Sequence, residues 1–315
     1  RSCRELRSCL ILGKCPLMTF GNRQRVALLV CLVAWLWPVS PNVVAQSDLN
    51  LTAQHAILID AGSGEIIFAK HADERVAMAS LTKLFTAFQA IETTPLHRMM
   101  TVEETDLVGE ASAGLWSGLR LPLHAMLLPS GNDAATSIAR NLGSKGALRG
   151  SRAIDRFMAQ LNARVRDLGL SNTQLKNPHG LDEPGHFSSA RDIAVLSLYA
   201  LQHEPAFRDT ISTPRYQFAD IDWNNTNQLL YTYDGIIGGK TGVTDNAGYC
   251  LMEIAERNGR TLIAVILGST GDAWYYDAAM LLDYGFATST SATGGFGLGY
   301  VVAPAAGYEV DAAPN

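Results

Sequence analysis

The 315-residue sequence is short of cysteine where cysteine would matter. Cys3, Cys9, Cys15 and Cys31 all precede residue 45, and only Cys250 lies beyond it, so the body of the chain has no partner for an internal disulfide. There is no CxxC pair and no His/Cys cluster at ligand spacing, and the seven histidines are scattered; neither a metal nor a cofactor is expected. Charge is sparse at 17% against 47% hydrophobic residues, which favours a sizeable core over disorder. Cations are scarcer than the total suggests. The first 45 residues hold six of them and one anion, leaving 19 against 29, or −10, on the rest. That balance excludes a nucleic-acid binder, which needs a basic face. Phosphate-loop spacing fails by one residue, because the required first glycine before Gly239-Lys240-Thr241 falls on Asp234,. Gly294, Gly295, Gly297 and Gly299 open no helix, so a dinucleotide fingerprint is also excluded,.

What is present first is an export signal. Arg23 and Arg25 precede an apolar run from Val26 to Trp37, Pro38 and Pro41 break it, and Val43-Val44-Ala45 offers small residues for cleavage,. The run falls short of the roughly 20 apolar residues of a membrane span. Residues 1–45 are therefore expected to be an upstream extension and export signal, with Met18 the expected start, which implies work outside the cytoplasm; an uncleaved signal would tether the protein. Residues 287–315 shift to Ala, Gly, Ser, Thr and Pro and are expected to be a flexible tail without an amphipathic helix, so no carboxy-terminal membrane anchor is expected. One domain remains, residues 46–286.

Within it, residues 56–60 and 65–70 read as a hairpin around Ala61-Gly62-Ser63-Gly64,. Leu81, Leu84, Phe85, Phe88 and Ile91 recur at helical steps, predicting a helix with one buried face and Ser80 at its amino end. Further helices are predicted at 123–128, 133–142 and 151–168. Ser189 with Asp192 caps another, running to about Gln202. Residues 247–257 and 260–267 flank Asn258-Gly259, a strong hairpin signal, and a last helix is expected at about 272–284. Strands first and last with helices between predict an α+β fold: an antiparallel sheet flanked by helices, with an inserted helical subdomain.

Three short motifs can carry chemistry. Ser80-Leu81-Thr82-Lys83 sets a hydroxyl and an amine one helical turn apart. The amine can act as a base near neutral pH only if burial or a second cation lowers its pKa from about 10.4. Ser130-Gly131-Asn132 projects a hydroxyl and an amide from the break made by Pro129. Lys240-Thr241-Gly242 places a cation and a hydroxyl just before the late strands. Alone, each has an ordinary reading: a helix cap, a turn, a strand-edge lysine.

Together and in this order, the three motifs match the set found in penicillin-binding proteins and class A β-lactamases. The sequence closely resembles the exported serine D-Ala-D-Ala carboxypeptidases, the low-molecular-weight penicillin-binding proteins. The likeness spans about residues 54–286 and includes Ala79-Ser80-Leu81-Thr82-Lys83, Asn177-Pro178-His179-Gly180-Leu181, Ser189-Ala190-Arg191-Asp192 and Ala247-Gly248-Tyr249. It implies a β-lactamase/DD-peptidase-like fold, with a peptidoglycan stem peptide ending in D-Ala-D-Ala as substrate and β-lactams as inhibitors. By the same resemblance Ser80 is the nucleophile, Lys83 its base and Ser130 a proton relay. Asn132 aligns the substrate; Lys240 and Thr241, with Gly242, hold its carboxylate; and the N–H groups of Ser80 and Val243 form the oxyanion site. The sequence departs from the family pattern at Met78, in a shortened stretch near Gly118 that bears on the Ser130 loop, and at Asp272-Ala273-Trp274, where relatives often carry an arginine. A D,D-endopeptidase, a β-lactamase and an inactive wall-binding module are the alternatives. A β-lactamase would need a Glu-x-x-Leu-Asn segment, which the sequence lacks.

Overall fold

The computed structural model describes residues 49–106, 114–116 and 118–288. The expected export signal and tail lie outside them apart from Ala287 and Thr288, as does most of the shortened stretch before Gly118.

A five-stranded sheet in the order β2-β1-β9-β8-β7 organises these residues. Strand β1 (His55–Asp60) pairs with β2 (Ile66–Lys70) and with β9 (Arg260–Ser269), which pairs with β8 (Gly248–Arg257), which pairs with β7 (Ile236–Thr244); every pairing is antiparallel. The β8–β9 turn is the predicted Asn258-Gly259, both with positive φ, as a two-residue hairpin turn requires,. The long strand β7 lies at the sheet edge, so Lys240, Thr241 and Gly242 sit inside a strand rather than ahead of one.

Side chains alternate between the two sheet faces. Ile57, Ile59, Met252, Ile254, Ile263 and Val265 face a large helical layer, while Leu58, Leu251, Ala255, Leu262 and Ala264 face the last helix. The helical layer begins with a 3₁₀ turn (Ala79–Leu81) that leads into α1 (Thr82–Thr93). After the short strands β3 (Met100–Val102) and β4 (Gly114–Trp116) come α2 (Arg120–Leu127), α3 (Asn132–Gly143), α4 (Ser151–Asp167), α5 (Ala190–His203) and α6 (Pro205–Ile211). A small hairpin of β5 (Arg215–Phe218) and β6 (Ile221–Asn224), the single turn α7 (Leu229–Thr232) and the final α8 (Trp274–Ala287) complete the described chain. This is the α+β arrangement the sequence predicts, a sheet flanked by helices.

One helix differs from its expectation. Helix α1 is not amphipathic in its setting: every residue from Thr82 to Ala90 is buried, including Lys83 and Gln89. It runs through the middle of the helical layer, so its polar side chains must find partners inside the protein. The expected cap at Ser189 is present, with its hydroxyl accepting from Asp192 N at 3.1 Å. The Asp192 carboxylate also accepts from Asn172 N and Thr173 Oγ1.

Candidate active site

Ser80 sits in the 3₁₀ turn that precedes α1, with the helix proper starting at Thr82. Ala79, just before it, has φ +49°, a left-handed conformation that costs a non-glycine residue about 1 kcal/mol. The turn is held from two sides. A Cβ on Gly180, itself at φ +93°, would lie 2.0 Å from Ala79 O, and one on Gly242 would lie 2.8 Å from Ser80 N. Neither position admits a side chain without moving the backbone that carries the hydroxyl.

Lys83 Nζ lies 2.7 Å from Ser80 Oγ, 2.8 Å from Asn132 Oδ1 and 2.8 Å from His179 O. Burial, aided by the charge of Lys240 and opposed by Asp133, holds its pKa well below the ordinary lysine value. A neutral amine has two N–H donors and one lone pair. Here the two donors match Asn132 Oδ1 and His179 O, which leaves the lone pair facing the Ser80 hydroxyl.

The loop after α2 supplies the second hydroxyl. Pro129 cannot continue the helix; Ser130 takes φ +67°, and Gly131 N donates to Ala125 O at 3.0 Å. The shortened stretch upstream does not carry this loop out of reach, because Lys240 Nζ donates to Ser130 Oγ at 2.8 Å. Lys240 is wholly buried, its Nζ also donates to Thr241 O at 2.8 Å, and burial lowers its pKa to about 7. Thr241 Oγ1 pairs with Thr226 Oγ1 at 2.7 Å. Val243, at the outer end of β7 and paired with Tyr249, is exposed. Ser80, Lys83, Ser130, Asn132, Lys240, Thr241 and Gly242 are thus brought together from three separate segments.

Motif reading named no role for several groups that build the site. His179 contributes through its carbonyl, which has no side-chain signature. His186 accepts from Lys176 N at Nδ1 (3.0 Å), so its Nε2–H donates to Thr82 Oγ1 (2.8 Å), which in turn donates to Ala79 O (2.8 Å). Burial depresses the pKa of both His179 and His186 to about 4. Asp182 accepts from Thr244 Oγ1 and Asn246 N, tying the 177–186 loop to the β7–β8 turn. Cys250 is buried, and burial pushes its thiol up to about 12, so it stays protonated and unreactive,.

A protein-family model described as D-alanyl-D-alanine carboxypeptidase matches residues 42–271. The chain is 32% identical over 255 residues to the D-alanyl-D-alanine carboxypeptidase DacF of Bacillus subtilis, an alignment that covers 76% of this chain and 64% of that protein. It is 33% identical over 258 residues to a D-alanyl-D-alanine carboxypeptidase of Mycobacterium tuberculosis, covering 77% and 85%. The crystal structure of a Streptomyces DD-transpeptidase superposes with a TM-score of 0.70 at 30% identity, covering 76% of this chain and 98% of that one. With its motif residues converging at one end of such a fold, the chain belongs to the D-alanyl-D-alanine carboxypeptidase family.

Proposed function

We propose that the chain is an exported serine D,D-carboxypeptidase that removes the terminal D-alanine from peptidoglycan stem peptides through an acyl-enzyme on Ser80. The observation that carries this reading is a wholly buried amine, Lys83, within 2.7 Å of a hydroxyl held in a constrained turn. Ser80 Oγ passes its proton to Lys83 Nζ and attacks the carbonyl carbon of the penultimate D-alanine. The oxyanion forms against the N–H groups of Ser80 and Val243, where one donor is worth about 3 to 4 kcal/mol. Collapse breaks the C–N bond, the leaving amine takes a proton through Ser130, and D-alanine departs with its carboxylate released from Lys240 and Thr241. Water then cleaves the Ser80 ester with Lys83 again as base. A β-lactam enters by the same attack and stays attached.

Several features weigh on the alternatives. Glu183 is exposed and accepts from Asn177 Nδ2 at 3.0 Å, so it is a poor base for the fast deacylation of a β-lactamase. An amine in place of water would turn the same acyl-enzyme toward transpeptidation, the activity for which the Streptomyces structure is named, and an internal peptide bond as substrate would make the enzyme an endopeptidase. The test is to incubate the protein with labelled penicillin and, separately, with a peptide ending in D-Ala-D-Ala. Stable labelling of wild type but not of Ser80→Ala, with D-alanine released, is expected. Equal labelling of both refutes Ser80 as the nucleophile; labelling without D-alanine release favours a binding module, and rapid penicillin turnover a β-lactamase.

A further inference from the structure

On β8 the row facing α8 reads Leu251, Glu253, Ala255, and the two alanine and leucine positions belong to the apolar cluster there. Glu253 is wholly buried within that row. Among the described residues it makes no ion pair; its Oε2 accepts from Asn227 Nδ2 at 2.9 Å and its Oε1 has no hydrogen-bond partner. Burial raises its pKa well above the ordinary carboxylate value. A buried acid without a cation is costly to place, and its position suggests what it does.

Residues on the same sheet face alternate along a strand, and Thr241 pairs with Leu251 while Gly239 pairs with Glu253. Thr241, Gly239 and Glu253 therefore share one face, opposite to that of Lys240. A Cβ on Gly239 would lie 2.5 Å from Glu253 Oε2 and 2.8 Å from Asn227 Nδ2. The Glu253–Asn227 bond thus crosses directly over β7, one residue from Lys240, and only glycine leaves it room. Asn227 is fully tied: its N–H donates to Asn225 Oδ1 and its Oδ1 accepts from Leu229 N. Its neighbour Thr226 is fixed in turn, because its N–H donates to Leu128 O and its carbonyl accepts from Tyr275 Oη.

Thr226 Oγ1 donates to Leu128 O at 3.2 Å and sits 2.7 Å from Thr241 Oγ1, where either oxygen can be the donor; its one hydrogen serves only one of the two at a time. The direction of that short bond matters. A carboxylate only accepts hydrogen bonds, so with substrate bound Thr241 must spend its own hydrogen on it, and the single Thr226 hydrogen must turn from Leu128 O to the closer Thr241 oxygen. If Thr241 donated to Thr226 instead, it would offer a carboxylate only lone pairs. We propose that Thr226 is a positioning residue that turns the Thr241 hydroxyl toward the substrate carboxylate, and that buried Glu253, acting through Asn227, holds Thr226 in place.

The inference rests on the carboxypeptidase reading, since it assigns the carboxylate to Thr241. The experiment measures kcat and kcat/KM for D-alanine release from a D-Ala-D-Ala peptide by the full-length chain, its Thr226→Val and Thr226→Ser variants, and Glu253→Gln and Glu253→Leu. Thr226→Val should lower kcat/KM about 10-fold, equivalent to roughly 1.4 kcal/mol of carboxylate binding, and leave a deacylation-limited kcat within about 2-fold, while Thr226→Ser restores it. Glu253→Gln keeps an oxygen for Asn227 and should match wild type, whereas Glu253→Leu should resemble Thr226→Val. If Glu253→Leu does not fold, the Thr226 pair decides alone. An active wild type with kcat/KM unchanged in Thr226→Val overturns the inference, as does Thr226→Ser failing to restore it or Glu253→Gln being as impaired as Glu253→Leu. A wild type that releases no D-alanine overturns the carboxypeptidase reading, and this inference with it.

Discussion

Lys240 Nζ and Ser130 Oγ stand 2.8 Å apart although 110 residues separate them in sequence. This contact joins the edge strand to the loop between α2 and α3 and puts a second buried amine beside the first. The two amines have opposed requirements under the carboxypeptidase reading: Lys83 must be neutral to accept a proton, and Lys240 must be charged to hold a carboxylate. The expected kcat/KM profile is a bell, rising through the lowered pKa of Lys83 and falling above about 7, where Lys240 loses its proton in the free enzyme,. A bound carboxylate keeps Lys240 charged, so the falling limb of kcat should lie at higher pH. Replacement by a permanently charged side chain, Lys240→Arg, should remove the falling limb. Measuring both profiles from pH 5 to 10 checks this, and a flat kcat/KM between pH 6 and 9 is incompatible with it.

The same lysine costs stability. Its pKa in the folded protein is about 7 against 10.5 in a free side chain, so between those values the unfolded chain binds a proton that the folded chain does not. Stability must therefore rise with pH across that window, and below pH 7 the cost is fully present. Lys240→Met, which fills the space without a charge, should melt higher than wild type at pH 6, by on the order of 5 °C. The gap should shrink toward pH 10 while activity is lost throughout. Equal melting temperatures at pH 6 would show that the buried amine is not a strained charge.

Much of this site is legible in the sequence because its signals are local. Ser80 and Lys83 lie one turn apart, Pro129 forces the break that exposes Ser130, and Asn258-Gly259 fixes the turn of the sheet's longest hairpin. The burial of α1 on every side is not legible. Thr82, Thr86 and Gln89 look like a solvated face, and only packing shows Thr86 Oγ1 donating to Pro178 O at 2.7 Å. Glu253 and Thr226 escape motif reading for a related reason: they meet through Asn227 across a strand edge, a relationship set by sheet register rather than by spacing. The β5–β6 hairpin had an available signal, the alternation of Tyr216, Phe218, Ile221 and Trp223 about Ala219-Asp220, but no glycine marks its turn, where Ala219 takes φ +50°.

Gly180 tests whether the geometry around Ser80 depends on close backbone packing. Its missing side chain leaves space for Ala79 O and for Thr82 Oγ1, which would be 2.0 and 2.7 Å from an added Cβ, and its φ of +93° adds strain for any other residue. In Gly180→Ala the Ala79–Ser80 turn must shift. Penicillin acylation should fall by about 100-fold, the size expected when a reacting group moves by about 1 Å, and the melting temperature should drop by several degrees. Gly146, where an added Cβ meets nothing within 4 Å despite φ +58°, is the control: Gly146→Ala should acylate normally. Normal acylation by both variants would mean that the turn is not clamped.

His186 links acid sensitivity to the same turn. Its Nδ1 accepts from Lys176 N, and a protonated ring would face that donor with another. The folded pKa is depressed to about 4 from 6.5, so between those values the unfolded chain takes up a proton that the folded chain refuses. The contribution to stability is complete above pH 6.5 and is lost as pH falls toward 4. One such histidine gives a slope of about 1.4 kcal/mol per pH unit within the window, and His179, depressed to the same value, adds a second. Denaturant unfolding of His186→Gln between pH 4.5 and 6 should therefore show a shallower slope than wild type by about 1.4 kcal/mol per pH unit, since glutamine does not titrate. An unchanged slope would mean that His186 accepts its proton in the folded state, which requires the Lys176 N contact at Nδ1 to open.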